Sequence, residues 1–280
     1  MIRVLISIAL LSVPLPALAQ GLADNLSRNG ALTRLDTGDQ SRGWEAVGRL
    51  NIGGKGFCTG ALVADNLVLT AAHCLFDKRT GTRIESTTIE FLAGFRNGRA
   101  SAYRNVRRAV THPEYRYSAH VSSERVRQDV ALLELEMPIR NTTVIPFDTD
   151  ARPRKGDRIG VVSYAHDRAE APSLQEICGV LGRQDGVLIM SCDVDFGSSG
   201  APVFSFEHGQ PRIVSVVSAK AEVDGKRVAL GTQLQGTLTL LRGELDAGNG
   251  YSVGAAPRSG RVKIGGGRDR SGAKFIKPTN

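Results

Sequence analysis

The chain has 280 residues, four cysteines and a formal net charge of +8. Such a charge would point to a nucleic-acid or membrane partner, but residues 247–280 hold seven basic side chains and one acidic one, which leaves residues 20–246 close to neutral. The composition therefore gives no support to a polyanion-binding function for the main body of the chain.

The first predicted element is a secretory signal peptide over residues 1–19. Arg3 supplies its basic start, an apolar run follows, and Ala17-Leu18-Ala19 forms a small-x-small cleavage site. The alternative is an uncleaved membrane anchor, but the apolar core is too short to span a bilayer comfortably, and no later segment approaches about 20 apolar residues. We expect a soluble mature protein that is secreted or periplasmic.

Residues 20–43 are expected to form a propeptide-like segment, and the chain from residue 44 to about residue 240 is predicted to be all-β. Short apolar or alternating runs, rich in Val, Ile, Leu and Thr, recur there at the spacing of barrels or sandwiches. Three prolines and few apolar runs mark residues 138–156 as a linker between two β-rich units, residues 44–137 and residues 157–246.

The end of the chain is predicted to contain one short helix and then a tail. Helical periodicity is limited to a segment near Leu238 to Leu245. Residues 247–280 are basic and rich in glycine, with almost no core-forming side chains, so they are expected to be a disordered, solvated terminus. The alternative for this tail is a contact with a polyanion or with the cell envelope.

A histidine and an aspartate stand next to two of the predicted strands. His73 follows the apolar run Leu67-Val68-Leu69-Thr70, and Asp129 opens the run from Val130 to Leu135. A carboxylate at the start of a buried strand is expensive unless something pairs with it, so Asp129 is the preferred orienting partner for the imidazole. Asp77 and Asp157 are the weaker candidates for that role.

Ser199 is the candidate nucleophile, in the segment Gly197-Ser198-Ser199-Gly200. Small neighbours allow close approach of a substrate carbonyl, and Gly197 can adopt conformations that turn its N–H toward the site. The N–H groups of Gly197 and Ser199 are therefore the predicted oxyanion-hole donors. Ser198 is the competing nucleophile, which the spacing Gly-x-Ser-Gly-x-Pro disfavours.

Four cysteines in an exported chain predict two disulfides, and three pairings are possible. The pairs Cys58–Cys74 and Cys178–Cys192 are the economical choice because each closes a short loop. In the chain-entropy model a loop of this size contributes about 3 kcal/mol to stability.

Together these motifs resemble those of the trypsin/chymotrypsin-like serine proteases. The resemblance rests on Phe57 to Val63, Thr70 to Cys74, Thr111 to Tyr115 and Asp129 to Leu133, with His73, Asp129 and Ser199 in the family's order. It covers about residues 44–240. It implies two six-stranded antiparallel β-barrels with the triad in the cleft between them, and hydrolysis of peptide bonds through an acyl-enzyme without a metal or organic cofactor.

The chain departs from the animal members of this family just before the nucleophile. Animal trypsin-like enzymes carry an aspartate there that receives a new N-terminal amine on activation, whereas this chain has Ser198. The segment is more similar to the secreted bacterial branch that includes glutamyl endopeptidases. Activation by insertion of a cleaved N-terminus is therefore not expected.

Three residues are candidates for the specificity pocket. Asp193 lies six positions before Ser199, where a trypsin-like enzyme has the acid that selects Arg or Lys. Ser218 and Lys220 lie on a later strand that should line the same pocket, and Lys220 either attracts an acidic substrate side chain or points to solvent. The histidine that glutamyl endopeptidases use on this strand is missing, so the residue preference stays open.

The sequence thus predicts a secreted, monomeric serine endopeptidase that acts on proteins or peptides. The alternative is a catalytically silent, protease-like binding protein that acts through its cleft or its basic tail. All three residues of the predicted triad are present, which favours the enzyme.

Overall fold

Two antiparallel β-barrels form the body of the computed structural model, which describes residues 30–150, 153–207, 209–223 and 225–251. The predicted signal peptide and all but the start of the predicted tail lie outside these residues. The first seven strands are β1 (Thr33–Arg34), β2 (Val47–Ile52), β3 (Phe57–Ala64), β4 (Leu67–Thr70), β5 (Ile89–Ala93), β6 (Ala102–Thr111) and β7 (Ala131–Leu135). The remaining strands are β8 (Arg158–Ala165), β9 (Arg168–Gln184), β10 (Val187–Met190), β11 (Pro202–Ser205), β12 (Arg212–Val223) and β13 (Lys226–Gln233).

The first barrel closes in the order β2-β3-β4-β7-β6-β5. A two-residue turn, Asp65-Asn66, joins β3 to β4, a length typical of a tight hairpin. In β4 and β7, Val68 and Leu69 face Leu133 and Leu132 across the pair, and all four are completely buried. Closure of the sheet removes its free edges, and the apolar interior stabilises it.

The second barrel closes in the order β8-β9-β10-β13-β12-β11, with β11 pairing back to β8. β1 adds to the outside edge of this sheet by pairing with β9, and Leu35 just after it is buried. Residues 30–43, within the predicted propeptide-like segment, therefore contribute a strand to the second sheet. Whether they are removed in the mature protein stays a prediction.

Aromatic side chains and a C-terminal helix hold the two barrels together. The ring of Phe204 on β11 lies 5.0 Å from that of Trp44 and 4.8 Å from that of Phe147, measured between centroids. Two α-helices are described, α1 (Ser123–Arg127) and α2 (Thr237–Asp246). α2 follows the second barrel but packs Leu238, Leu241 and Leu245 into the core shared with the first. Burial of a leucine side chain contributes about 2 kcal/mol to stability, so the three leucines attach this helix to the core.

The fold predicted from the sequence is confirmed: two six-stranded antiparallel barrels and a short C-terminal helix. Both disulfides join the predicted partners, Cys58 with Cys74 and Cys178 with Cys192. The 17-residue strand β9 and the short β1, β11 and α1 were not predicted. Among the described residues, no helix is long and apolar enough to cross a membrane.

Candidate active site

His73 lies in a 3₁₀ turn, Ala72–Leu75, that begins just after β4. Because Thr70 of β4 pairs with Ala131 of β7, the residues that follow β4 meet the residues that precede β7. The disulfide to Cys74 ties the same turn to β3. The barrel thus brings a buried imidazole beside Asp129, 56 residues further along the chain.

Asp129 is completely buried and its two carboxylate oxygens accept three hydrogen bonds. Oδ1 accepts from the backbone N–H of His73 at 2.8 Å, and Oδ2 lies 2.7 Å from His73 Nδ1 and also accepts from the Ser218 hydroxyl. Burial alone would raise the pKa of this carboxyl, but attraction to His73 and the hydrogen bonds from His73 and Ser218 outweigh it and hold the pKa below its ordinary value. The ionised carboxylate fixes the imidazole ring with Nδ1 toward itself.

The two other carboxylates considered from the sequence have different partners. Asp77 pairs with Lys55 at 2.5 Å and accepts the backbone N–H groups of Arg79 and Thr80. The hydrogen bond from Lys55 is the main reason that the pKa of Asp77 is strongly lowered. Asp157 accepts the backbone N–H of Arg154 before β8. Of the three, Asp129 is the one bonded to His73.

Ser199 lies in the tight turn between residue 195 and β11, and the glycines on either side make this turn possible. Gly197 has φ +99° and Gly200 has φ +79°, a backbone region that L side chains rarely adopt. A Cβ on Gly197 would lie 2.4 Å from the Phe57 ring, and one on Gly200 would lie 2.3 Å from the Thr59 carbonyl oxygen. Both positions therefore require glycine for the strand β3 to approach the turn.

The carbonyl groups of this turn accept hydrogen bonds, while two of its N–H groups have no acceptor among the described residues. Thr59 donates its N–H to the Ser199 carbonyl at 2.9 Å and its hydroxyl to the Gly197 carbonyl at 2.8 Å. The Phe196 carbonyl accepts the N–H of His166 at 2.7 Å. Within the part of the chain that the structure describes, the N–H groups of Gly197 and Ser199 donate to no protein atom. They remain available to an incoming oxygen.

A cleft opens in front of these groups, and His73 and Ser199 both line it. Its charged side chains are three cations, Lys78, Arg125 and Lys220, and the carboxylate of Asp195, which pairs with Lys220 at 2.6 Å. A second cavity, lined by Phe57, Phe76 and Ile84, adjoins it on the side of the first barrel and again includes His73 and Ser199. The site can therefore accommodate a chain that passes Ser199 on both sides.

A family model described as a trypsin-like peptidase domain matches residues 58–212, which include His73, Asp129 and Ser199. The chain belongs to the trypsin-like peptidase family. Serine protease 23 of Mus musculus is 31% identical over 163 residues, 52% of this chain and 42% of the relative, and the human protein has the same figures. Trypsin of Phaedon cochleariae is 32% identical over 83 residues, 30% of this chain and 29% of the relative. The chain thus spans less than half the length of these curated relatives.

Solved structures with the trypsin-like fold are similar at lower sequence identity. A Glu endopeptidase in complex with MPD superimposes with a TM-score of 0.62 at 17% identity, covering 78% of this chain and 98% of its own. A scabies mite inactivated protease paralogue gives a TM-score of 0.60 at 16% identity, covering 80% of this chain and 99% of its own. At these identities the likeness concerns the fold.

The structure separates the three candidate specificity residues of this trypsin-like chain. Ser218 donates to Asp129, and Lys220 pairs with Asp195 while its ammonium lies 4.3 Å from the centroid of the Phe196 ring. Asp193 does not line the cleft of His73 and Ser199. It lines a neighbouring cavity behind the Asp195–Lys220 pair. Asp195 and Lys220 line both cavities.

Among the described residues, one cluster has the spacing of metal ligands: Cys58, His73 and Cys74. The two sulfurs are bonded to each other, so neither is a free thiolate. This cluster does not fit a metal ion.

Two residues that hold the turn around Ser199 have no readable role in the sequence. Thr59 lies in the family-like segment from Phe57 to Val63, but the role of its hydroxyl is visible only once β3 is seen against the turn. Arg168 belongs to no sequence motif. It is buried, and its guanidinium lies beneath Ser198.

Proposed function

We propose that this trypsin-like chain is an exported serine endopeptidase that hydrolyses peptide bonds through an acyl-enzyme. The observation that carries the proposal is that His73, which lines the same cleft as Ser199, is joined to the buried Asp129 by two hydrogen bonds. In this assignment Ser199 is the nucleophile, His73 is the general base and then the general acid, and Asp129 orients the imidazole.

The chemistry follows from these positions. His73 accepts the hydroxyl proton of Ser199 as Oγ bonds to the substrate carbonyl carbon, and the carbonyl oxygen becomes an oxyanion. The free N–H groups of Gly197 and Ser199 donate to that oxyanion, and loss of one such donor typically costs about 10²–10³ in rate. The imidazolium then protonates the leaving amine as the C–N bond breaks. Water repeats the sequence on the acyl-enzyme and releases the carboxylic acid.

The charges of the cleft favour substrates with acidic side chains near the scissile bond. Lys78, Arg125 and Lys220 outnumber the single carboxylate of Asp195, and that carboxylate is already paired. Electrostatic attraction of this kind raises the local concentration of an oppositely charged substrate. The fold likeness to a Glu endopeptidase is compatible with this preference.

The alternative function is that of a catalytically silent binding protein. The likeness to an inactivated protease paralogue means that the fold alone is no argument for catalysis. The complete set of His73, Asp129 and Ser199, with two free N–H groups beside it, supports the enzyme. A secreted or periplasmic location is supported by the two disulfides, which persist in oxidising compartments. A monomeric state and a polyanion contact of the tail stay predictions.

The test is covalent labelling with a fluorophosphonate, together with hydrolysis of a peptide library by the purified full chain. We expect the label on Ser199, and we expect Ser199→Ala to lose both labelling and turnover, a loss of several orders of magnitude. The control is Ser101→Ala, which removes an exposed hydroxyl on the turn before β6 and should change neither. A label on Ser198, or turnover by Ser199→Ala at the parent rate, would contradict the assignment.

A further inference from the structure

The turn that carries Ser199 rests on a buried polar cluster formed by Ser198, Ser163 and Arg168. Ser198 is completely buried, and its hydroxyl lies 3.2 Å from both the Ser163 hydroxyl and the Tyr164 carbonyl oxygen. The same hydroxyl accepts the backbone N–H of Asp195 at 3.3 Å. Residue 198 thus anchors the turn to β8 from below.

Arg168 delivers a positive charge to this cluster. Its side chain is buried, with 9% of the residue exposed, and Nη2 lies 3.4 Å from the Ser163 hydroxyl and 3.5 Å from the Ser198 hydroxyl. Among the described residues its one ion pair is with Asp167, a carboxylate that is itself 73% exposed, and its buried Nε has no hydrogen-bond partner there. A buried cation is costly without compensation, and Arg168 is compensated by the bond to Asp167, by attraction to the Asp195 carboxylate and by the hydrogen bonds to the two serines.

The hairpin that carries Arg168 also holds the predicted oxyanion hole. His166, two residues earlier, donates its N–H to the Phe196 carbonyl. In a trans peptide the C=O and the following N–H point in opposite directions, so this bond also fixes where the Gly197 N–H points. The turn between β8 and β9 therefore contacts the nucleophile turn at Ser198 and also fixes the direction of the Gly197 N–H, one of the two predicted oxyanion donors.

We propose that Arg168 is a positioning residue that holds the nucleophile turn in its working conformation through Ser198 and Ser163. In this chain an internal guanidinium thus supports the turn from within the fold. The site is then assembled in the chain without a new N-terminus. The expected effect of Arg168 on catalysis rests on the proposed function, whereas its effect on the conformation of the turn does not.

The uncut chain agrees with this role. Residues 30–35 lie along β9, where Leu35 donates its N–H to the Pro172 carbonyl at 2.9 Å and Gln175 donates to the Gly30 carbonyl at 2.7 Å. This segment is held against the outer edge of the second sheet by its own backbone. The contacts of Arg168, Ser163 and Ser198 exist with that segment in place.

The structural test is amide hydrogen exchange of the full chain, because it does not depend on catalysis. Arg168→Met should speed exchange across residues 195–201 about tenfold or more, since the turn loses its anchor. The matched control is Arg212→Met, which removes another arginine whose Nε is buried without a partner, on β12. Unchanged exchange in residues 195–201, or the same increase throughout the second barrel for both variants, would overturn the proposal.

The kinetic test separates positioning from substrate binding. We expect Arg168→Met to lower kcat about tenfold or more with KM nearly unchanged, Arg168→Lys to recover most of that loss, and Arg212→Met to match the parent. We also expect trimming within residues 20–29, before strand β1, to leave kcat within about twofold. A parent-like kcat for Arg168→Met, or a tenfold rise on trimming, would refute the role. Failure of the parent to bind the fluorophosphonate would instead refute the proposed function, while the exchange experiment would still decide the role of Arg168.

Discussion

Two aspartates lie at different depths beside the cleft of His73 and Ser199. Asp129 is completely buried and accepts three hydrogen bonds, whereas the Asp195 side chain is 51% exposed and pairs mainly with Lys220. The pKa of each carboxyl is lowered, at Asp195 chiefly by the hydrogen bond from Lys220, and at Asp129 by His73 and Ser218 against the opposing effect of burial. A buried carboxylate cannot exchange its partners for water, so its contacts fix geometry. An exposed pair can open at little cost, so its members can take new partners.

The largest effect should come from removal of the buried charge. Asp129→Asn keeps the size of the side chain but loses the anion that orients His73, so we expect kcat to fall by about 10³–10⁴ while the protein stays folded. Steady-state kinetics and circular dichroism measure the two quantities. Asp77→Asn, at another buried carboxylate of the first barrel, is the control and should keep kcat within about fivefold. An equal fall in kcat for Asp129→Asn and Asp77→Asn would contradict a specific role of Asp129 in orienting His73.

A smaller effect is expected from the third hydrogen bond to Asp129. Ser218→Ala removes one donor to Oδ2, so kcat should fall about tenfold or less. A carboxyl with a lowered pKa stabilises the fold above its ordinary pKa, and this contribution is lost as the pH falls through the lowered value. Without Ser218 the pKa of Asp129 rises, so the acid-unfolding midpoint should move to higher pH.

The control for Ser218→Ala lies on the same strand. Ser215→Ala removes a buried hydroxyl that donates to the Thr232 carbonyl at 2.8 Å, away from Asp129. It should affect stability without moving kcat. A parent-like acid midpoint for Ser218→Ala would mean that its hydroxyl contributes nothing to the ionised state of Asp129.

The smallest effect on stability is expected at the exposed pair. Lys220→Ala should change the free energy of unfolding by less than about 1 kcal/mol, because exposed ion pairs contribute little. It should instead lower the cleavage of peptides with acidic residues near the scissile bond by a few fold at low salt, and the difference should shrink as salt is added. Library profiling checks this, with Lys226→Ala on β13 as the control. An unchanged profile would exclude Lys220 from substrate selection.

The sequence could predict the fold and the candidate catalytic residues because their signals are local. An apolar run ends just before His73, another begins just after Asp129, and glycines surround Ser199. Strand β9 was missed because Glu170, Pro172 and Glu176 interrupt its alternation, although the strand continues through them while pairing with several neighbours. Its length reflects tertiary pairing rather than local preference.

Other features depend on contacts between distant segments. Arg168 follows Asp167 in what the sequence presents as an ordinary polar turn, and Ser198 is 30 residues away. The place of Asp193 depends on the path of the turn before Ser199, which the sequence does not specify. Helix α1 does have a local signal in the sequence: Ser122 caps it by accepting the N–H of Arg125, and Glu124 lies in its first turn.

The contacts of Thr59 have a consequence for how the molecule unfolds. This one residue of the first barrel bonds to Ser199 and Gly197 in the nucleophile turn, and its hydroxyl also accepts the N–H of Tyr164 on β8 of the second barrel at 3.1 Å. Separation of the barrels therefore breaks the contacts of the Ser199 turn and the contact between the barrels in the same event. The two barrels should melt in one cooperative transition, with no temperature at which the candidate site stays intact while one barrel is unfolded.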